Sequence, residues 1–130
     1  MKRKTKTIIV VVGVLMVLVV FSFLFLNGVP DKASKRVSAE AHATRGEELY
    51  HSTRYEEALE EYKIAVELDP NNLDYHTGLA AAYERCGMIE EAIKELEAYI
   101  HLSKDEEANK EVRKTINLLE QYLKSLNKME

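Results

Sequence analysis

The sequence lacks most of the residue patterns that catalytic and cofactor sites depend on. It contains a single cysteine, Cys86, which cannot form a disulfide within the chain. No Cys-x-x-Cys, His-Glu-x-x-His or phosphate-binding glycine loop is present. Cys86 has no motif around it that would make it a nucleophile, so a helix-packing role is the simpler interpretation. We therefore expect no enzyme and no cofactor, and we interpret the paired glutamates as solvated helix faces.

Positive charge is scarce in most of the chain. All 22 acidic residues follow Leu26, but only 14 of the 18 basic residues do, so this part carries a net charge of −8. A surface that binds nucleic acid needs clustered basic side chains. We therefore expect no nucleic-acid partner, and a domain that anionic lipid headgroups repel.

Charge is absent altogether from residues 8–26, which follow a basic flank at residues 1–7. As a helix this run would span roughly 28 Å, close to the ~30 Å hydrocarbon core of a bilayer. The run is longer than the apolar region of a secretory signal, which is usually about 7–15 residues. It therefore predicts a single transmembrane helix at 8–26 that stays in place, with a cleaved signal as the alternative.

The charges on either side of this span indicate an orientation. Four of the first six residues are basic, whereas Lys32, Lys35 and Arg36 follow the span. The more basic flank usually stays in the cytoplasm. We expect a single-pass protein of the plasma (inner) membrane, with its N-terminus in the cytoplasm and its C-terminal domain outside. The opposite orientation, with that domain in the cytosol, is the alternative.

After a predicted linker at 27–38, the sequence repeats itself at a period of 34 residues. Residues 39–72 align with residues 73–106, and Tyr-Glu-Glu-Ala-Leu at 55–59 returns as Ile-Glu-Glu-Ala-Ile at 89–93. A period of 34 is typical of a helix–turn–helix unit that buries its apolar face by stacking on its own copies. The chain is therefore predicted to be all-α beyond the span.

Local signals place helices at about 39–51, 54–68, 73–86, 89–102 and 104–128. Thr53 with Glu56, and Ser103 with Glu106, have the spacing of capping boxes that open a helix. The segment 104–128 has an apolar stripe from Ala108 to Leu126 and a charged opposite face, which favours a capping helix over a coiled-coil dimer seam.

The residues within each repeat resemble the tetratricopeptide repeat (TPR) family. In residues 39–72 the resemblance rests on a small residue in the first helix, an aromatic–alanine spacing in the second and a closing proline: Gly46, Tyr55, Ala58, Tyr62, Ala65 and Pro70. Residues 73–106 match less fully and are interpreted as a degenerate second repeat, through Leu79, Ala80, Tyr83, Gly87, Ala92 and Leu96. The resemblance implies a short TPR-type α-solenoid of two repeats and a capping helix. Because about three repeats are usual for an independent solenoid, we expect stabilisation by a homodimer or by a larger complex.

The resemblance also implies where a partner binds, because the first helices of stacked TPR units line a concave face. The implied groove positions are Glu40, Ala43, Glu47, Tyr50 and His51 in the first unit, and Asp74, Thr77, Ala81, Glu84 and Arg85 in the second. Six of these are the candidate partner-binding residues: Glu47, Tyr50, His51, Thr77, Glu84 and Arg85. The basic clamp by which some members hold chaperone tails is absent, since Ala43 and Glu47 stand at its positions. A peptide segment with some positive charge is the expected ligand.

His42 and His76 occupy one repeat position, which the family fills with a bulky aromatic residue. We interpret them as packing residues and not as metal ligands, and expect no metal site.

These features together predict a membrane-tethered adaptor that recruits or holds a protein or peptide partner, in secretion or envelope assembly. Two alternatives remain open at this point: a receptor subunit for targeting signals with its repeats in the cytosol, and a purely structural subunit of a membrane complex.

Overall fold

The computed structural model describes residues 16–19 and 31–128. Residues 16–19 are helical, and the described residues from 33 onward form one compact unit. That unit is built from five helices: α1 (Lys32–His51), α2 (Tyr55–Leu68), α3 (Leu73–Arg85), α4 (Ile89–Leu102) and α5 (Glu106–Leu126). The described residues contain no strand, which fits the expected all-α solenoid.

The predicted membrane segment falls largely outside the described residues. Apart from 16–19, the span at 8–26 is not among them, and neither are the basic flank 1–7 and residues 27–30 of the predicted linker. Among the described residues, no helix is long and apolar enough to cross a bilayer.

Helix α1 begins earlier than the sequence indicated, so the linker prediction was wrong for residues 32–38. These residues include neither glycine nor proline, and Asp31 before them is of a type favoured at helix N-caps. Ala39 is fully buried, and Arg36 Nε lies 3.7 Å from Asp69 Oδ2. The repeat unit therefore extends about two turns beyond the predicted start of its first helix.

The turns within the two repeats share one backbone geometry. In the first, Thr53 N–H donates to Tyr50 O at 3.0 Å and Arg54 N–H to Leu49 O at 2.9 Å. In the second, Gly87 N–H donates to Glu84 O and Met88 N–H to Tyr83 O at the same two distances. This pair of bonds is the Schellman arrangement, which needs a left-handed residue just after the helix. Thr53 adopts it with φ 60° and Gly87 with φ 77°.

Both predicted capping boxes were wrong, for different reasons. Thr53 adopts the left-handed conformation just after α1 and does not cap α2. The N-cap of α2 is Arg54, whose side chain forms an ion pair with Glu57. At α5 the N-cap is Asp105, whose carboxylate accepts from Glu107 N–H and Ala108 N–H. Ser103 lies outside α5, and its hydroxyl accepts from Asp105 N–H.

Each repeat has its own buried apolar cluster. The first is centred on α2 and takes in α3 through Leu79 and Ala82, which are buried with Ala58, Leu59 and Tyr62. The Tyr62 ring fits between two glycines, because an added Cβ would lie 3.1 Å from the ring at Gly46 and would overlap the ring at Gly78. Close approach of α1 and α3 to α2 therefore depends on two missing methyl groups.

The second cluster joins α3, α4 and α5. Its buried members are Ala80, Ile89, Ala92, Leu96, Ile116 and Leu119, with Val112 and Leu123 packed against them. The apolar stripe of α5 is thus used largely against α4 and α3. Asn109 is buried at the start of α5, and its amide donates to Ser103 O at 3.4 Å.

Candidate functional site

A groove with an acidic lining lies between the first helices of the two repeats. It encloses about 280 Å³ between α1 and α3. Its carboxylates are Glu40, Glu47 and Asp74, and Tyr75 supplies an aromatic wall. All three carboxylate residues are exposed, and none of the described residues that line the groove is basic. Such a groove attracts cationic groups and repels anionic ones.

An aromatic cluster lies at the α1–α2 turn and reaches α3. The rings of Tyr50 and Tyr55 meet edge to face at 5.3 Å between centroids. The guanidinium of Arg85 lies 4.7 Å from the Tyr55 ring centroid, and its Nη2 donates to the Tyr55 hydroxyl at 2.6 Å. This hydrogen bond raises the pKa of Arg85. His51 borders the cluster, 6.1 Å from the Tyr50 ring, with its Nε2 3.9 Å from Glu47.

A second groove, of about 260 Å³, lies between α3 and α5. Its floor is the second core, through Ala80, Ala92, Leu96 and Leu119, and Thr77 and Glu84 stand on its α3 side. Glu111 and Thr115 stand on the α5 side, so the capping helix forms one wall.

The six candidate partner-binding residues therefore do not form one site. Glu47 lines the α1–α3 groove, and Thr77 and Glu84 line the α3–α5 groove. Tyr50, His51 and Arg85 belong to the aromatic cluster. Their part in binding stays a prediction.

In each repeat, one histidine–glutamate pair links the two helices. His42 Nδ1 lies 2.6 Å from Glu61 Oε2, and His76 Nδ1 lies 2.7 Å from Glu95 Oε2. His76 Nε2 also lies 2.9 Å from Pro70 O, so each nitrogen of this ring faces an oxygen. The sequence carries the signal, because both pairs are 19 residues apart and recur at the 34-residue period, but the contact between each histidine and its glutamate was not predicted.

Cys86 packs against the first core cluster and is half-buried. Burial raises the pKa of its thiol, with a smaller contribution from Glu56. The raised pKa makes the reactive thiolate form rarer at neutral pH. Among the described residues, no group of three or more His, Cys, Asp or Glu side chains could hold a metal ion.

Comparisons with known proteins agree with the helical architecture. Residues 46–87, about a third of the chain, match the family model described as TPR repeat. The chain is also 27% identical over 64 residues to the Hsp70-Hsp90 organising protein of Plasmodium falciparum (isolate 3D7). That alignment covers 49% of this chain and 11% of the relative, so the chain spans only a small part of that relative's length. The family match covers the end of α1 and all of α2 and α3, so about a third of the chain is similar to the TPR repeat family.

Proposed function

We propose that this protein is a membrane-tethered adaptor whose repeat unit holds a segment of a protein partner in the groove between α1 and α3. Residues 8–26 would anchor it in the plasma membrane, and a role in secretion or envelope assembly follows from the orientation predicted for them. The observation that carries the proposal is the lining of the α1–α3 groove by three exposed carboxylates, Glu40, Glu47 and Asp74.

The chemistry of this groove selects for a basic segment. Among the described residues, neither Glu40 nor Asp74 forms an ion pair, and the contact between Glu47 and His51 is long, at 3.9 Å. A lysine or arginine side chain entering the groove would therefore gain partners without displacing internal ones. Tyr75 offers a face for the aliphatic part of such a side chain.

The Plasmodium relative supports an adaptor role, because its name describes a protein that organises two others. Its share of the alignment is small, so its particular partners are not transferred to this chain.

A peptide titration tests the binding part of the proposal. We would measure fluorescence anisotropy of a lysine-rich peptide and of its glutamate-substituted counterpart against the full chain in phosphatidylcholine nanodiscs. The lysine peptide should bind more tightly, and salt should weaken it because exposed charges are screened. Asp74→Lys should weaken binding at least about tenfold through loss of attraction and added repulsion. Glu97→Lys, an exposed change on α4 away from this groove, is the matched control. Equal binding of the two peptides would contradict the proposal.

A labelling experiment tests the tether and its orientation. With Cys86 replaced by serine, a cysteine at Asn27 would be exposed to a membrane-impermeant thiol reagent on intact cells. Labelling from outside supports an adaptor in the envelope. Labelling only after permeabilisation places the repeats in the cytosol, where Lys32, Lys35 and Arg36 after the span suit a receptor for targeting signals.

Exchange of residues 8–26 for an unrelated apolar helix tests the remaining alternative, a structural subunit. Activity that survives the exchange would identify the span as a tether only.

A further inference from the structure

Half of the exposed large apolar residues of the repeat unit lie on one helix, α5. Six are exposed between residues 33 and 128: Val37, Ile64, Met88, Leu118, Tyr122 and Leu126. Three of them follow one another at intervals of four along α5, where Leu118 is 65%, Tyr122 51% and Leu126 39% exposed. Residues four apart lie on the same side of a helix. Helix α5 therefore carries two apolar stripes. The first packs on α4, and the second, formed by Leu118, Tyr122 and Leu126, stays exposed.

The second stripe borders a cleft of about 330 Å³ between the end of α5 and the α3–α4 turn. Its walls include Gly87 and Tyr122, and its base reaches the second core through Ile89 and Leu119. Helix α5 has 21 residues and α4 has 14, and residues 103–105 join them, so the C-terminal part of α5 runs roughly 10 Å past the start of α4. Within the part of the chain that the structure describes, that overhang leaves Leu126 without a neighbouring helix to cover it.

We propose that this cleft, lined by Glu84, Gly87, Ile89, Leu119, Tyr122, Leu123 and Leu126, is a second docking surface, and that it binds a basic amphipathic helix of a protein partner. Aliphatic side chains one turn apart on that helix would enter the cleft between Tyr122 and Leu126. A lysine or arginine on its flank would reach Glu84. We call this surface the α5 cleft.

The charge of the α5 cleft argues for a basic ligand. Among the described residues that line it, Glu84 is the one that carries a charge. Glu90 and Glu91 lie on the first turn of α4, directly after Ile89, and add negative charge nearby. Arg85, next to Glu84 in the sequence, is held by Tyr55 at the aromatic cluster, and Lys124 in the last turn of α5 is not among the described residues that line the cleft. A basic helix therefore finds an unmatched carboxylate at the mouth of an apolar cleft.

The size of the exposed stripe argues against a second copy of this chain as the occupant. A standard stable interface buries about 800 Å² on each partner. Three partly exposed side chains fall well short of that, whereas a single helix in a groove needs only a few anchors at i, i+3, i+4 or i+7.

Two synthetic helical peptides provide the test. Both carry leucine at i, i+3, i+4 and i+7, and they differ in having lysine or glutamate on the flanks. Anisotropy would be measured against the full chain in phosphatidylcholine nanodiscs, with empty nanodiscs as the baseline. The lysine peptide should bind, and Tyr122→Gln should weaken it at least about tenfold because an apolar anchor is lost. Val37→Gln, which alters a residue 68% exposed on α1, should have no effect and is the matched control.

Charge exchange sharpens the result. Glu84→Lys should weaken the lysine peptide and strengthen the glutamate peptide. Equal binding of the two peptides to the unaltered chain, or an unchanged affinity in Tyr122→Gln, would show that the α5 cleft is not the site.

Two further measurements separate this surface from the alternatives. A photoreactive p-benzoylphenylalanine in place of Leu118 should crosslink to the lysine peptide, and crosslinking to a second copy of the chain instead would overturn the proposal. Asp74→Lys in the α1–α3 groove should leave binding of the helical peptide unchanged. Loss of binding in that variant would place the peptide in the other groove, so failure of one proposal can be told from failure of the other.

Discussion

The two repeats build the same contacts from different residues at equivalent positions. In both, a histidine of the first helix meets a glutamate of the second, and a Schellman turn joins the two helices. The small residue of the first helix is Gly46 in one repeat and Ala80 in the other, and the left-handed turn residue is Thr53 in one and Gly87 in the other. The difference shows that stacking constrains the backbone path more tightly than it constrains side-chain identity, and that some substitutions carry strain.

The histidine pairs differ in how deeply they are buried. The side chain of His76 is 8% exposed and has a second acceptor in Pro70 O, whereas that of His42 is 34% exposed. Glu61 is also shared with Arg45, at 3.2 Å. The second repeat therefore depends more strongly on its pair.

Removing each glutamate tests this difference and should give the largest effect. Glu95→Ala should lower the free energy of unfolding by about 3 kcal/mol, because a buried imidazole loses its charged acceptor. Glu61→Ala should cost about 1 kcal/mol, since water can reach His42. Urea unfolding of the full chain, followed by circular dichroism, measures both. Equal losses would mean that burial does not distinguish the two pairs.

The next largest effect should come from alanine substitution of the two glycines beside Tyr62, which should differ in their loss of stability. Gly78→Ala should destabilise by about 2 kcal/mol, because the new methyl group overlaps the ring. Gly46→Ala places its Cβ 3.1 Å from the ring, and the gain of about 1 kcal/mol in helix propensity offsets most of that crowding. Tyr62→Leu in the Gly78→Ala background should restore part of the loss. Without such rescue, the ring would not be the cause.

The reasons for success and failure of the sequence predictions differ along the chain. Helix α4 agrees with the predicted span 89–102, because Gly87 before it is an unambiguous turn signal. The start of α1 was predicted too late: Gly28 and Pro30 indicate a linker, but residues 32–38 contain neither glycine nor proline and continue as helix. Thr53 was misassigned because threonine is a common N-cap and a rare left-handed residue, so only its equivalence to Gly87 could have corrected it.

The candidate site was the hardest part to predict. Equivalent positions in the two repeats predicted candidate groove residues on α1 and α3. They did not predict that these residues belong to two separate grooves and an aromatic cluster. The α5 wall of the second groove was missed because the apolar stripe of α5 was treated as a single face. Contacts between helices that are distant in sequence depend on crossing angles, which local patterns do not specify.

Exchange of the turn residues tests the strain at Thr53. Thr53→Gly should raise the free energy of unfolding by about 1 kcal/mol, because it removes the backbone strain of a β-branched residue at φ 60°. Gly87→Thr should lower it by a similar amount, through backbone strain alone, since no atom of the described residues lies within 4 Å of the added Cβ position. Thermal midpoints of the two variants should move in opposite directions. A loss of stability in Thr53→Gly would show that the threonine makes a compensating contact.

The smallest expected effect concerns pH, and it should separate the two cores. Tyr62 belongs to the first core, and its repeat equivalent in the second is Leu96, which does not titrate. Burial raises the pKa of Tyr62, with smaller contributions from Glu47 and Tyr50. Because the folded state favours the neutral phenol, the associated stability is fully present below the unfolded value of about 10 and is lost as pH rises through the folded value.

Amide exchange between about pH 9 and pH 11 should therefore accelerate more in the first repeat than in the second, beyond the intrinsic increase with pH, and Tyr62→Phe should reduce that difference. Tyr83 contacts both cores, and burial also raises its pKa. Amide exchange in both repeats of the Tyr62→Phe variant should therefore still accelerate with pH, by a similar amount. If Tyr62→Phe leaves the difference between the repeats intact, the alkaline weakness lies in another group of the first repeat, and the contrast between a titrating and a non-titrating core would have to be abandoned.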